Sequence, residues 1–590
     1  MSDRIKLVCK IIILILSIFP VLLFSIREDV SGIWDQPEYI INNDIRILSG
    51  DTLIIENGVA VKFNGNYQFE VNGSLFVLGT EGSKVQFEAY QVNETWKGII
   101  FCDSSSDSSY VHYAEIKNCL GQNGGGISIL GYSDLLIENS KIFNCSAIFG
   151  GGIYINYAHP TIRNTEICNN YASDSGGGIY SNHCNIVLDN VHVYNNESEN
   201  NAGGALINYN HPMITNCLFE FNSTQGNGGG MLVQDFYGSS EIRDCIFRNN
   251  SSGMRGGGYY SDNSICYVYS SIFEENTSCL GGACFISNYG SFFINCEFSN
   301  NNSDFGGAIY MEFTNSRFIN CLFSYNESDF GGAFYLTNHS SAEIINSNIV
   351  RNHAVYNGGG YLTIIDDGVD IYNSIFYYNN TDEIPGNQIH IGSTTCETYL
   401  KFCNIQNGID GISGHPEIMQ PPFYENNIDA LPLFADSLTD FSLLTGSPCI
   451  NVGTLDLPEG IVLPELDLAG NPRIYNEFVD IGAYEWQGVN IDNSQLSILN
   501  FQLRNYPNPF NPFTTIEFSI HNDSKVELSI YNIKGQRLRS LLNDQIIAGE
   551  YSVIWNGDDN FGNSVSSGIY YYQLKINKKT EAVKKCLLLK

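Results

Sequence analysis

Hydrophobic and polar residues in the middle of this chain alternate in short runs that recur at a fixed interval. Residues 293–311 read FINCEFSNNNSDFGGAIYM and residues 318–336 read FINCLFSYNESDFGGAFYL, an echo 25 residues apart. In FINCLF, Ile319, Cys321 and Phe323 share one parity and so face one side of a strand. The runs are broken by Gly, Asn, Ser and Asp, and no stretch between repeats sustains a spacing of three and four residues. The pattern predicts short strands and disfavours helical repeats.

Two columns set the period. A Gly-Gly pair followed by a small residue recurs, with third positions Gly126, Gly152, Gly178, Ala205, Gly230, Gly258, Ala283, Ala308, Ala333 and Gly360. That is 234 residues over nine intervals, a mean of 26. In step with it run Thr165, Val191, Cys217, Cys245, Ser271, Cys296, Cys321, Ser347 and Ser374. Five residues after each stands an Asn: Asn170, Asn196, Asn222, Asn250, Asn276, Asn301, Asn326, Asn352 and Asn379. A fixed period of this length signals stacked repeats. With strand-type runs the architecture is an all-β parallel solenoid, one coil per repeat, like residues stacking about 4.8 Å apart. Asn is expected at a corner in the left-handed conformation, its amide bonding its twin one coil away. Gly-Gly-small is expected at another corner, where a larger side chain would clash.

The GGAI of 306–309 and the FSYN of 323–326 resemble the GGA[ILV] and FxxN repeats of polymorphic outer membrane proteins. More broadly they resemble secreted right-handed parallel β-helices. The resemblance covers roughly 118–410, and the repeats are assigned to 118–415. It implies a right-handed parallel β-helix without choosing among adhesins, lyases and glycosidases. Residues 33–117 are short strands with Gly or Asn turns, and WKGIIF (Trp96 to Phe101) looks like the leading coils of bacterial secreted β-helices. They are assigned to an N-terminal cap and first coils, because open solenoid ends need covering.

Two C-terminal stretches carry further resemblances. DFSLLTGSPCINVG (440–453) and DLAGNPRIYNEFVDIGAYEW (467–486) look like the choice-of-anchor Q region that follows β-helices in surface proteins, with Asn451 where that pattern has Asp. Residues 416–486 are therefore read as a C-terminal coil and cap, and 487–504 as a polar linker. From 505 to 590, strands of five to eight residues separated by turns predict a small immunoglobulin-like sandwich. Pro507, Pro509 and Pro512 cannot belong to a central strand. The YPNPFNP lead, Gly535, WNGDD (555–559) and SGIYYY (567–572) resemble the type A sorting domain of the type IX secretion system. That resemblance implies export across an outer membrane, with the secretion machinery as partner and the outer cell surface of a Gram-negative-type bacterium as destination. At the other end, basic residues precede an apolar run from Ile11 to about Phe24, interrupted by Pro20. The run is short for a membrane span, so residues 1–26 are read as a secretory signal peptide.

Composition narrows the partners. A net charge of −34, from 29 basic and 63 acidic residues, argues against nucleic acid and anionic membrane surfaces. It is compatible with solubility outside a cell and with scattered divalent cations such as Ca²⁺; no other cofactor is implied. Of the 17 cysteines, Cys119, Cys217, Cys245, Cys296, Cys321 and Cys403 are placed in the column shared with Ser, Thr and Val. Neighbours near 4.8 Å stand further apart than the roughly 3.5–4.5 Å between Cβ atoms of a disulfide, so free buried thiols are expected. No C-x-x-C pair supports zinc.

Candidate chemistry is sparse. Asp366 and Asp367 resemble part of a polygalacturonase site, but adjacent strand residues point to opposite faces. Asp235, Asp262 and Glu312 fall near one corner on separate coils, and Arg243, Arg248 and Arg255 cluster in sequence. Asp467, Arg473, Asp480 and Glu485 have the residue types of catalytic acids and a base, yet ion pairs also serve structure, and they are assigned to holding the last coil. His159 and His211, in the repeated NYAHP and NYNHP corners, have no Ser, Cys or metal-spaced partner and are read as structural. No catalytic residue is assigned. The expectation is a secreted, surface-displayed protein for adhesion or carbohydrate contact. The alternative is a secreted polysaccharide lyase or glycoside hydrolase.

Overall fold

The computed structural model describes residues 27–488 and 503–589, apart from 103–107, 132–134, 210, 235–238, 364–367, 384–386, 416–421, 476, 521–523, 548 and 578. The expected signal peptide, Asp235, Asp366 and Asp367 lie outside the described residues. The chain divides into two compact units, Met1–Gln487 and Gly488–Lys590.

The first unit is the predicted solenoid. Strands of two to five residues stack in parallel into three long sheets. Sheet 1 runs over sixteen strands from Glu28–Asp29 to Ile412–Gly414, sheet 2 over sixteen from Gly32–Trp34 to Tyr424–Glu425, and sheet 3 over fifteen from Glu38–Ile41 to Asn404–Ile405. Alternation decides the faces: Ile309 and Met311 point into the coil and are fully buried, and their partners Phe334 and Leu336 one coil on do the same. Val30, Trp34 and Tyr39 pack on the first coils, with Trp34 stacked on Tyr39 at 4.5 Å.

A fourth sheet of ten strands begins at Ser146–Phe149 and ends at Asn380–Thr381, over the stretch where the Gly-Gly repeats run. Where the Gly-Gly motifs stand, its strands turn sharply into the following strand of sheet 1. At the turn Gly306 has φ +67°, and a Cβ there would lie 2.2 Å from the carbonyl oxygen of Ile309. Register corrects one column member: Ile179 pairs with Ala205, so Gly204, not Ala205, stands in line with Gly178 and Gly230. In that coil Ala202 takes the left-handed turn, at φ 56°.

The asparagine column is a buried ladder. From Asn170 to Asn379 each Nδ2 donates to Oδ1 of the next Asn at 2.8–3.1 Å. The left-handed turn is not on these residues, however. It falls on the residue before each: Asn169, Asn195, Phe221, Asn249, Glu275, Asn300, Tyr325, Arg351 and Tyr378. The amide has to point into the coil to meet its twin, so the preceding residue makes the bend.

The cysteines of the described residues, Cys102 through Cys586, are all free thiols. Cys217, Cys245, Cys296, Cys321 and Cys403 are buried in one column. Cys119 does not belong to it. Leu120 bridges Ser146, which sets Cys119 beside Cys145, and the amide of Cys145 donates to Asn170 Oδ1 at 3.0 Å. Both cysteines therefore head the asparagine ladder, which starts only at Asn170.

Beyond Tyr424–Glu425 the chain turns back. Phe434, Phe441, Leu443, Cys449 and Ile481 pack on Leu322, Val350, Ile375 and Tyr377, the outward face of sheet 3. The expected cap is thus a cover on the flank. Corner asparagines hold it: Asn320 Nδ2 donates to Leu466 O, Asn346 Nδ2 to Asp480 O and Asn373 Nδ2 to Thr454 O, at 2.8–3.0 Å. Burying Phe434, Phe441 and Leu443 stabilises the cover by about 1.5–3 kcal/mol each.

The second unit is a small antiparallel sandwich of a three-stranded and a four-stranded sheet. Ile516, Phe518, Val526, Leu528, Trp555, Tyr572, Leu574 and Cys586 fill its core.

Candidate functional site

The outward positions of sheet 1 should meet solvent, yet many are buried. Leu206, Leu232, Tyr260, Phe285, Tyr310 and Tyr335 lie in register on successive coils, and none is more than 9% exposed. Leu280, Phe305 and Phe330 of the fourth sheet lean over them. The sharp glycine turn folds sheets 4 and 1 toward each other on the outside of the solenoid, and the angle between them is a furrow with an apolar floor. Phe285 stacks on Tyr310 at 4.9 Å and Tyr310 on Tyr335 at 5.1 Å; Phe305 meets Tyr335 edge-on at 5.2 Å. Nearer the N-terminus, Tyr154 stacks on Tyr180 at 5.3 Å and Phe149 packs on Tyr180 at 5.2 Å. Burial raises the hydroxyl pKa of Tyr154, Tyr180 and Tyr260.

A polar row borders the floor. Two residues beyond each floor position stand Asn182, Asn208, Gln234, Asp262, Ser287, Glu312 and Thr337, in register from coil to coil. Two predicted acids are therefore brought to one wall, with Ser287 between them. Asp262 accepts from Gln234 Nε2 at 3.1 Å, Ser287 Oγ at 3.0 Å and Asn288 Nδ2 at 2.8 Å. Arg255 lies over Phe285 at 5.0 Å and reaches Glu312 at 4.0 Å across the furrow.

The three arginines that cluster in sequence are separated in space. Arg243 lies in sheet 2, paired with Glu241 and 3.7 Å from the ring of Tyr269. Arg248 lies in sheet 3 between Glu220 at 2.7 Å and Glu274 at 3.5 Å. Only Arg255 faces the furrow. His159 accepts from the amide of Asn185 at 2.8 Å and His211 from that of Ser239 at 3.2 Å, so both serve as corner acceptors.

The quartet of the flank cover is a buried lock. Arg473 is fully buried and donates to Glu485 at 2.9 Å, to Gly482 O at 3.0 Å and to Asp480 O at 3.1 Å. Asp480 accepts from the amides of Asn451 at 2.7 Å and Trp486 at 2.6 Å, and Asp467 from those of Asn471 at 2.7 Å and Glu485 at 2.8 Å. Burial pushes the Glu485 carboxyl up to about 8 against the pull of the Arg473 guanidinium. Each of the four side chains is spent on the turns of the cover.

The furrow was missed in the sequence, although its signal is there. From Gly152 to Ala333 the second residue after the small position of each glycine motif reads Tyr154, Tyr180, Leu232, Tyr260, Phe285, Tyr310 and Tyr335, with Leu206 once the column is corrected to Gly204.

Fold and furrow together define a right-handed parallel β-helix carrying an immunoglobulin-like module. Residues 97–278 match the family model of the right handed beta helix region, and residues 514–580 match that of the FlgD Ig-like domain. Among solved structures, pectate lyase Pel9A shows a TM-score of 0.29 at 12% identity, covering 74% of this chain and 88% of that one. The Dettilon tailspike protein gives 0.25 at 13% identity over 50% and 62%. The enzymatically active domain of bacteriophage CBA120 tailspike protein 2 gives 0.19 at 9% over 92% and 71%. Likeness at this level carries no activity across to this chain. No curated protein matches it.

Proposed function

We propose that this is an exported, surface-displayed β-helix whose external furrow contacts extended carbohydrate in adhesion, without turning it over. The observation that carries the reading is the furrow itself: over its buried floor Tyr154, Tyr180, Leu280, Phe305 and Phe330 keep part of their apolar faces open, bordered by amides and hydroxyls over successive coils. Apolar faces with adjacent amides suit the C–H faces and hydroxyls of sugars, and the coil repeat suits a polymer. Residues 505–590 are proposed to address the chain through a type IX secretion system, in keeping with their motifs and an immunoglobulin-like fold. Calcium remains a proposed partner of scattered surface acids.

The second reading, a polysaccharide lyase or hydrolase, draws on one observation: Asp262, Glu312 and Arg255 share the furrow. Against it, Asp262 already accepts four hydrogen bonds, the fourth from Asn263 Nδ2, and Glu312 is held by Arg255. A glycan array run beside an activity screen on acidic polysaccharides separates the two. Binding without cleavage, weakened at least tenfold by Phe305→Ala with Phe330→Ala, supports the proposal. Cleavage lost in Asp262→Asn or Glu312→Gln overturns it in favour of the enzyme.

A further inference from the structure

We propose that the head of the furrow is a saccharide subsite for a sugar bearing a single carboxylate, with Lys97 as its anion-binding group. This rests on the glycan-contacting reading above and adds a ligand class to it. One coil before the aromatic floor begins lies a cleft of about 490 Å³, lined among others by Lys97, Gln68, Gln122, Asn123, Ile100 and Leu120. It is continuous with the furrow: Ile100 pairs with Ser128 and Ser128 with Tyr154 along sheet 1, while Asn123 bridges Phe149 along the opposite wall.

The lining is chemically specific. Gln68, Gln122 and Asn123 each carry a donor and an acceptor on one amide, which is what vicinal hydroxyls require. Ile100 and Leu120 offer an apolar patch, and Leu120 is half exposed. Lys97 stands apart from the other cations of the solenoid. Up to Gln487 the chain has 18 basic and 54 acidic residues, so carboxylate partners are plentiful. Among the described residues of that unit, every lysine and arginine except Lys97 and Arg351 lies within 4.0 Å of a carboxylate. Arg351 is engaged otherwise, over the ring of Tyr378 at 4.6 Å and on the carbonyl of Ser437. Lys97 alone is left with its charge facing a cleft, where a charge-assisted hydrogen bond to an incoming carboxylate is open to it.

The charge pattern also limits the ligand. Beyond the cleft the furrow presents Tyr154, Asn156, Tyr180 and Asn182, and its next cation is Arg255, already held by Glu312. A polyuronate would lay its following carboxylates over uncharged groups on an acidic protein. One uronate at the end of an otherwise neutral chain satisfies Lys97 and leaves the neutral sugars to the aromatic floor.

The test uses the full chain and two matched probes: a glucose tetrasaccharide closed by one glucuronate, and its carboxyl-reduced neutral twin. Calorimetric titration should show at least tenfold tighter binding of the uronate. Lys97→Gln should erase that preference and Lys97→Arg should keep it, with thermal unfolding unchanged in both. Equal binding of the twins, or a preference that survives Lys97→Gln, overturns the inference. If the twins bind equally and Tyr180→Ala weakens both, the glycan-contacting reading stands while this one falls; if neither twin binds, both fall. Inorganic phosphate at matched ionic strength should leave the preference in place, and its loss there overturns the sugar assignment in favour of a bare anion site.

Discussion

Asn276 donates twice to one atom of Asn301: its backbone amide and its Nδ2 both lie 3.0 Å from Asn301 Oδ1. Asn301 repeats the arrangement on Asn326, and its Nδ2 also donates to Phe273 O at 2.9 Å. The side chain thus does for the backbone at this corner what a strand partner does elsewhere, and it is fully buried.

Asn301→Ala should therefore strand the buried amide of Asn276 without a partner and remove one of the two hydrogen bonds on the carbonyl of Phe273. An unsatisfied buried group costs about 1–3 kcal/mol, so a loss of about 1–3 kcal/mol is expected in urea unfolding. The neighbouring Asn302→Ala is exposed and should change stability by less than about 0.5 kcal/mol. Equal losses would show that the ladder carries no special weight.

Thiol chemistry tests the interior. Burial pushes Cys449 up to about 11 and Cys403 and Cys586 up to about 12, so these thiols are neutral and enclosed at pH 8. In the folded protein a maleimide should label exposed Cys279 first and half-buried Cys102 slowly. In denaturant without reductant, every cysteine from Cys102 to Cys586 should react. A denatured count near zero would mean that the columns are bridged.

The sequence made the coil legible because stacking forces like residues into columns, and a column of nine asparagines survives in one dimension. What it hid depends on direction. The period places Asn301 at a corner but does not say that Asn300 makes the bend, because either residue could and only the inward amide decides. The furrow was hidden for a related reason. Tyr310 and Tyr335 read as outward residues of a strand, and only the re-entrant turn at Gly306 puts Phe305 over them. Lys97 sits inside WKGIIF without being marked out by it; it is conspicuous only once the pairing of the other cations is known. Arg473 and Glu485 were legible as a pattern, while the flank they lock was not, because Asn320, which accepts from Arg473, and Asn348, which accepts from the amide of Ala483, lie more than a hundred residues away.

The lock should respond to pH in a direction opposite to an ordinary surface ion pair. With its carboxyl raised from 4.5 to about 8, Glu485 binds its proton more tightly in the folded cover than in the opened one. Stability from this group is complete below about pH 4.5 and is lost as pH rises to about 8, by at most tenfold per pH unit in the opening equilibrium. Burial raises Asp480 as well, with the same sign. Hydrogen exchange of 434–486 should quicken over that window beyond its intrinsic pH dependence, and Glu485→Gln should flatten the excess. A cover that tightens from pH 5 to 8 would contradict this.

The proposed address makes the last prediction. Each unit closes a core of its own: the solenoid on its inward columns, and the second unit on Phe510, Ile516, Trp555, Tyr572 and Leu588. Units that bury their own apolar surface fold independently. Removing 505–590 should therefore leave the solenoid folded, resistant to protease and cooperative in unfolding, but retained in the periplasm of a host with a type IX system. Fusing 500–590 to an unrelated periplasmic protein should carry that protein outside. Surface delivery of the truncated chain would reduce the second unit to another binding module. Unfolding of the truncated solenoid would instead make that unit part of the shaft, and the fusion separates the two, since only a true address moves a foreign cargo.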